Sequence, residues 1–215
     1  MLVAGLDIGT SSICGLLYDA GTDNVAETVN SKNEAHIRSS HVRPYFNNGY
    51  LYVAASLNGG RVLAELAEFL SQCCEELMGN RPENPYAAIQ RMALEEGSIL
   101  EVVSNFYGTR GSSDIGGQIR GIGGGNFTPG ALARGFVHGI AWELLEMYHS
   151  LPPKICESKA FLAGAGNGFR KNPALAGQVE AQLGLPLRLS PVGEEAAYGA
   201  ALYAVHAWRK DSPYI

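Results

Sequence analysis

The chain has 215 residues, of which 46% are hydrophobic and 17% are charged, a balance that indicates a folded domain rather than a disordered segment. Sixteen basic and twenty-one acidic side chains give a net charge of −5, which argues against binding to nucleic acid or to an anionic membrane. The first residues lack the basic start of a secretory signal, and no apolar run approaches the roughly 18 residues of a membrane span, so we predict a cytoplasmic protein. The four cysteines and five histidines show no metal-ligand spacing, and we interpret the cysteines as reduced thiols of the core.

The chain opens with a predicted β-hairpin. Residues 2–6 and 13–18 are short apolar strands, separated by a turn that is rich in glycine and hydroxyl side chains. A third strand is predicted over residues 25–29, and residues 30–44 are polar and aperiodic, as expected of a connector. Residues 49–56 predict the next strand.

Helices and strands alternate over the rest of the chain. Apolar residues on one face predict a helix over residues 61–78, and Asn84 and Thr128 each cap a helix that begins with proline. The other predicted elements are helices over 85–96, 129–150, 173–183 and 193–209, strands over 99–106, 159–163 and 185–189, and a glycine-rich loop over 108–125. This alternation predicts an α/β fold with a covered sheet.

The turn after the first predicted strand is the first candidate site. It contains Asp7, Gly9, Thr10 and Ser11. Backbone N–H groups and hydroxyls in a tight turn can bind phosphate oxygens, and a carboxylate beside them can hold Mg²⁺ through water. An ordinary hairpin turn has a similar composition and remains the alternative.

A second candidate follows the predicted strand over residues 159–163, where Gly164, Ala165, Gly166 and Asn167 precede a helix. Glycines at the carboxyl end of a strand permit close approach of a flat or anionic ligand. The pattern is not the dinucleotide-binding G-x-G-x-x-G, because Phe169 occupies the third glycine position. The small residues at 196–200 are a third, weaker candidate, for which close helix packing is the favoured explanation.

In order and content, these segments resemble the FGGY carbohydrate kinases, which belong to the actin-like ATPase superfamily. Residues 44–60 look most like the sedoheptulose-phosphorylating branch of that family. The resemblance implies an actin-like (ribonuclease H-like) ATPase domain, with a mixed sheet and helices on both faces. The segments that carry it are residues 7–12, 44–47, 53–60, 107–110, 132–140, 164–173 and 195–201.

The resemblance also implies the ligands. In the family, the γ-phosphoryl group of ATP is transferred to a terminal sugar hydroxyl with the help of Mg²⁺. Asp7 would organise Mg²⁺ through water, Thr10 and Ser11 would meet the phosphates, and the second glycine segment would lie along the adenosine. The implied nucleotide-binding residues are Asp7, Gly9, Thr10, Ser11, Gly60, Gly164, Ala165, Gly166 and Asn167. The implied sugar is a ketose, with sedoheptulose the first candidate and xylulose the next.

The chains of the family are much longer than this one and have two actin-like domains with the active site between them. Residues 1–38 resemble the start of the first domain, and residues 42–209 resemble the second. The sugar pocket and the segment with the catalytic aspartate have no counterpart here, so we expect no catalytic base. Thr109 stands where the family has glutamate.

Two interpretations of this gap are open. The chain is either a kinase fragment that is weakly active or inactive, or one compact unit in which the first hairpin completes the second domain. The compact unit predicts that residues 2–6 and 13–17 pair with the sheet that contains residues 50–55. The alternative function is a non-catalytic nucleotide-binding or interaction module that forms a homodimer through its exposed cleft face.

Overall fold

The computed structural model describes residues 2–8, 13–19, 40–44, 50–108, 116–149 and 161–211. The predicted α/β class is confirmed over these residues. Its strands are β1 (Leu2–Ile8), β2 (Ile13–Asp19), β3 (Ser40–Pro44), β4 (Tyr50–Ser56), β5 (Glu101–Val103), β6 (Gln118–Arg120), β7 (Leu162–Ala165) and β8 (Leu187–Leu189). Its helices are α1 (Gly59–Met78), α2 (Pro85–Leu94), α3 (Pro129–His149), α4 (Asn167–Arg170), α5 (Pro173–Leu183) and α6 (Glu195–Asp211).

Six of the strands in the described residues form one mixed sheet, in the order β3-β4-β2-β1-β7-β8. Strand β2 is antiparallel to both β1 and β4, whereas β7 is parallel to both β1 and β8. The predicted pairing between the opening hairpin and the strand over residues 50–55 is present, since Cys14 aligns with Ala55 and Leu16 with Val53. The hairpin therefore lies in the middle of the sheet, with partners on both sides.

Local sequence signals set the helix ends. The side chains of Asn84, Thr128 and Asn172 each accept a hydrogen bond from the backbone N–H three residues later, at 3.0–3.1 Å. Gly79 and Gly184 end α1 and α5 with φ of 74° and 64°, a conformation that glycine adopts without steric cost. The caps predicted after Asn84 and Thr128 are therefore confirmed.

Several predicted boundaries are wrong. Strand β5 is shorter than the predicted 99–106, because its partner β6 has only three residues, and β6 itself lies in the segment predicted to be a loop. Strand β3 lies within the predicted connector, since β4 offers it a free edge. Strand β7 extends through Ala165, so Gly164 lies within the strand rather than after it. The strand predicted over residues 25–29 lies outside the described residues.

The core is built around α3. The apolar side chains buried at four-residue spacing along this helix are Leu132, Phe136, Ile140 and Leu144. In α1, by contrast, the predicted apolar face is only partly buried, since Phe69 and Leu77 are exposed. Its buried residues stop at Ser71, so the last turns extend past the elements that cover the first ones. Cys73 and Cys74 in that part are half-buried and form no disulfide. Within the described residues, no helix is long and apolar enough to cross a membrane.

Candidate functional site

Four of the described strands have their carboxyl ends on the same side of the sheet, which we call the sheet edge. Strands β1, β4, β7 and β8 run parallel to one another, because β2 is antiparallel to both of its neighbours. The pairing register places Ala55, Cys14, Asp7 and Ala165 side by side in one row across the sheet. With adjacent strands about 4.8 Å apart, the ends of β1 and β4 are about 10 Å apart and those of β1 and β7 are direct neighbours. Ligands of α/β proteins bind at this edge of a sheet.

This edge brings together most of the residues predicted from the sequence. Asp7 is the last residue but one of β1, Gly60 follows β4 at the start of α1, and the segment 164–167 ends β7 and begins α4. Helix α4 contacts β1 as well as β7. Gly9, Thr10 and Ser11 lie outside the described residues. The structure thus places Asp7 and the second glycine segment on adjacent strands, although they are far apart in the sequence.

Packing and backbone conformation favour glycine at the end of β7, independently of any ligand. A Cβ atom built on Gly164 would lie 3.0 Å from side-chain carbons of both Leu187 and Leu189, so the packing of β8 favours glycine there. Gly166 has φ of 84°, which also favours glycine. Ala165 and Gly166 are half-buried and Asn167 is exposed, so this strand end is accessible from solvent.

A charged contact joins this strand end to the start of α6. The Nη2 group of Arg170 donates hydrogen bonds to the Ser190 carbonyl oxygen at 2.8 Å, to the Val192 carbonyl and to the Glu195 carboxylate. The same carboxylate accepts a hydrogen bond from the Gly166 N–H at 3.4 Å. The hydrogen bond from Arg170 lowers the pKa of Glu195 below its usual value, and the backbone hydrogen bonds add to this shift. Glu195 is therefore a link between α6 and the end of β7.

Close packing does not explain the small residues of α6, contrary to our expectation. Residues 196–202 are all exposed, including Tyr198 at 50% and Leu202 at 54%. The helix is therefore held at its first turn, by the Arg170–Glu195 contact, and presents small and apolar side chains to solvent along the following turns.

A second polar cluster surrounds the turn between β4 and α1. Asn58 is fully buried in this turn. Its Oδ1 atom accepts a hydrogen bond from the Tyr107 N–H at 3.0 Å. Its Nδ2 group donates to Glu143 Oε1 at 3.0 Å and to the Gly108 carbonyl oxygen at 3.3 Å. One amide side chain therefore connects the start of α1 to the 104–108 loop and to α3.

The cluster continues on both sides of Asn58. The Ser104 hydroxyl donates to Glu143 Oε2 at 3.0 Å, so both carboxylate oxygens of Glu143 accept a hydrogen bond. Toward solvent, the Arg61 guanidinium stacks 3.7 Å from the Tyr107 ring centroid. The Tyr107 hydroxyl donates to the Glu65 carboxylate, and this hydrogen bond raises the pKa of Tyr107 above its usual value.

The sequence analysis assigned no role to Ser104, Glu143 or Arg170. It also did not predict which residues contact Asn58. A buried asparagine needs hydrogen-bond partners, but the carboxylate that meets Asn58 lies 85 residues away. No local pattern connects residues at that separation. The sequence signal at this place was Asn-Gly-Gly shortly after a strand, which indicates a turn but does not identify its contacts.

Comparison with curated proteins identifies sedoheptulokinases as relatives. The chain is 30% identical over 164 residues to the sedoheptulokinase of Mus musculus, covering 74% of this chain and 33% of that protein. It is also 30% identical over 175 residues to the sedoheptulokinase of Homo sapiens, covering 79% and 36%. The chain thus spans about a third of the length of the curated relatives it matches. No protein-family model matches the chain.

Solved structures share the fold. A xylulose kinase from Lactobacillus acidophilus, with bound ligand, superposes with a TM-score of 0.67 at 15% identity, over 98% of this chain and 39% of that one. A xylulose kinase from Bifidobacterium adolescentis gives 0.67 at 19% identity, over 94% and 36%. A glycerol kinase from Plasmodium falciparum with ADP gives 0.66 at 18%, over 97% and 39%. The predicted actin-like, ribonuclease H-like fold is therefore confirmed. This chain is therefore homologous to about a third of each of these sedoheptulokinases and shares the fold of the solved sugar kinases.

Proposed function

We propose that this chain is the nucleotide-handling part of an ATP-dependent carbohydrate kinase of the FGGY family. The observation that supports this most is the parallel pairing of β1 with β7, in which Asp7 aligns with Ala165. The family resemblance assigns one of these segments to the metal and phosphates of the nucleotide and the other to its adenosine. The strand pairing makes the two segments adjacent at the sheet edge. Gly60 follows β4 at the same edge.

The residues at this edge fit a nucleotide and its metal ion. The Asp7 carboxylate is an oxygen ligand of the kind that Mg²⁺ prefers, acting directly or through water. Gly9, Thr10 and Ser11 would bind phosphate oxygens through N–H and hydroxyl groups. The accessible strand end at Gly164, Ala165, Gly166 and Asn167 would lie along the adenosine. Bound Mg²⁺ would neutralise charge on the phosphates during transfer.

We further propose that the chain is one compact unit built from parts of two family domains. In this proposal the opening segment, residues 1–38, corresponds to the first domain, and residues 42–209 correspond to the second. The central place of β1 and β2 in the sheet supports this, because a two-stranded hairpin is not stable without such partners.

We propose a ketose as the substrate of the kinase from which this chain derives, with sedoheptulose the first candidate and xylulose the second. The chain itself is proposed to be weakly active or inactive. Its proposed location is the cytoplasm. The segment with the catalytic base has no counterpart in the sequence. A general base contributes about 10²–10⁴-fold to a rate, and correct positioning of the acceptor contributes more. Loss of both would leave nucleotide binding with little phosphoryl transfer.

A non-catalytic interaction module is the second candidate. The exposed apolar residues of α6, including Tyr198, Leu202 and Val205, favour it. Such residues on one helix are typical of surfaces that contact another protein, including a second copy of the same chain.

Two measurements on the purified chain separate these functions. A coupled assay of ADP release with sedoheptulose, with xylulose and without sugar measures phosphoryl transfer. Calorimetric titration with Mg·ADP measures nucleotide binding. Binding without sugar phosphorylation is the expected result, whereas rapid sugar phosphorylation would overturn the proposed loss of activity. A folded chain that does not bind Mg·ADP would favour the interaction module.

The site assignment has its own matched pair of variants. Asp7→Asn removes the proposed metal carboxylate, and we expect Mg·ADP affinity to fall about tenfold or more, as for the loss of groups that support a metal. Asp19→Asn makes the same change at the opposite end of the hairpin, where Asp19 aligns with Leu2, and should have no effect. Equal affinities for the two variants would show that the site is assigned wrongly.

A further inference from the structure

Asn58 stands where a helix-capping residue belongs but does not cap its helix. It precedes Gly59, the first residue of α1, and its side chain makes no hydrogen bond to the first turn. Asn84 and Asn172, at the starts of α2 and α5, make that bond at 3.0 and 3.1 Å. An asparagine at this position is usually favoured because it caps, so Asn58 requires another explanation.

The hydrogen-bonding groups of the Asn58 side chain are committed elsewhere. Its oxygen accepts from Tyr107, and its amide group donates to Glu143 and Gly108. Asn58 is fully buried. A buried polar network whose members are all satisfied favours one arrangement of the elements it joins, because any other arrangement leaves a polar group unpaired.

This network favours one position of the turn between β4 and α1 at the sheet edge. Asn58 lies between Ser56, the last residue of β4, and Gly60, and its backbone N–H also donates to the Ser56 hydroxyl at 2.9 Å. Glu143 is held from its other side by Ser104 at 3.0 Å. The network thus fixes the start of α1 relative to α3 and to the 104–108 loop, all of them beside the proposed nucleotide site.

We propose that Asn58 and Glu143 are positioning residues of the nucleotide site, which hold the turn at Gly59 and Gly60 in the place where it meets the nucleotide. This inference rests on the proposed nucleotide binding of this edge. Neither residue need touch the ligand. Removing either side chain frees the turn and weakens binding, while the fold of the chain remains.

The conservative variant Glu143→Gln should preserve the network. The glutamine oxygen can accept from Asn58, and its amide can donate to the Ser104 hydroxyl, whose own proton can then turn to the Gly139 carbonyl oxygen 3.4 Å away. Asn58→Ala and Glu143→Leu break it. Ser104→Ala removes one bond and leaves Asn58 paired, and so provides a milder variant if the others do not fold.

The test measures Mg·ADP affinity by calorimetry and the hydrogen exchange of the Tyr107 amide without nucleotide. Asn58→Ala and Glu143→Leu should weaken affinity about tenfold and speed that exchange, Ser104→Ala should weaken affinity about threefold, and Glu143→Gln should match the wild type. Asn84→Ala, which removes an exposed cap on α2, is the control: it should lower stability without changing affinity.

The outcomes separate this inference from the function it rests on. If the wild-type chain does not bind Mg·ADP, the proposed function is overturned and the positioning role with it. If the wild type binds and Asn58→Ala and Glu143→Leu bind equally well, the positioning role alone is overturned, and the network serves stability only. If those two variants do not fold, unchanged affinity in Ser104→Ala overturns the positioning role in their place.

Discussion

Two glycines of α3 let this helix lie directly on the backbone of β5 and of the residue before it, and replacing one of them tests the packing of the core. A Cβ atom built on Gly139 would lie 2.2 Å from the Val102 carbonyl oxygen, and one on Gly135 would lie 2.4 Å from the Leu100 carbonyl oxygen. Ordinary Cβ contacts are not shorter than 3.0 Å. In Gly139→Ala the helix must therefore move away from the strand by nearly an ångström.

The expected loss of stability follows from two opposing effects. Overpacking of a core typically costs 1–3 kcal/mol, and here the atom in the way is rigid backbone rather than a flexible side chain. Alanine in place of glycine in a helix contributes about 1 kcal/mol in the opposite direction. Because rigid backbone is in the way, the cost should lie at the upper end of that range, so we expect Gly139→Ala to lower the free energy of unfolding by about 2 kcal/mol, with a similar loss for Gly135→Ala.

Urea denaturation followed by circular dichroism measures this change. Gly177→Ala is the matched control, because Gly177 lies within α5 and a Cβ atom built there meets no atom within 4 Å. It should raise the free energy of unfolding by up to about 1 kcal/mol. Stability of Gly139→Ala equal to or above that of the wild type would refute the close approach of α3 to β5.

Three further predictions concern charged side chains. Arg134 donates to three carbonyl oxygens at and after the end of α2, at 2.9–3.1 Å. Arg134→Met should therefore lower the free energy of unfolding by about 1–2 kcal/mol, seen as a lower denaturation midpoint, and Arg134→Lys should restore only part of this loss. An unchanged midpoint in Arg134→Met would contradict this. The pKa of Glu195 is lowered in the folded chain, so its contribution to stability is present above its unfolded value of 4.5 and is lost as the pH falls through the lower folded value. The stability difference between the wild type and Glu195→Gln should therefore shrink as denaturation is measured at lower pH, and a difference that grows would contradict the Arg170 contact. The pKa of Tyr107 is raised from 10.0, so Glu65→Gln should lower it in a spectrophotometric titration in which Tyr107→Phe identifies the signal, and an unchanged titration would refute that hydrogen bond.

Several helix ends were predictable because their causes are local. Asn84 before Pro85 begins a helix through a bond to the third residue on, and Gly79 ends one through its own φ. Residues 173–183 were predicted as a helix with the bounds that the structure shows. Each of these signals acts within a single turn of chain, so the sequence carries it in full.

The candidate site was predictable only in part. The residues themselves marked the turn at Asp7 and the segment 164–167 as candidate sites, and the register of β1 with β7 makes them neighbours. The small residues of α6 were misjudged, because exposure depends on what packs against a helix and not on its own sequence. Glu195 pairs with Arg170 in the fold, a contact that no local pattern in the sequence indicates.

The amino-acid sequence by itself determined the α/β class, several helix ends and the resemblance to carbohydrate kinases. Only the tertiary structure decided that the opening hairpin lies in the centre of the sheet, that four strands end at a common edge, and that Asn58 meets Glu143. The physical reason is the separation along the chain over which each interaction acts. Caps and turns depend on neighbours along the chain, whereas strand register and buried polar pairs depend on partners that folding alone brings together.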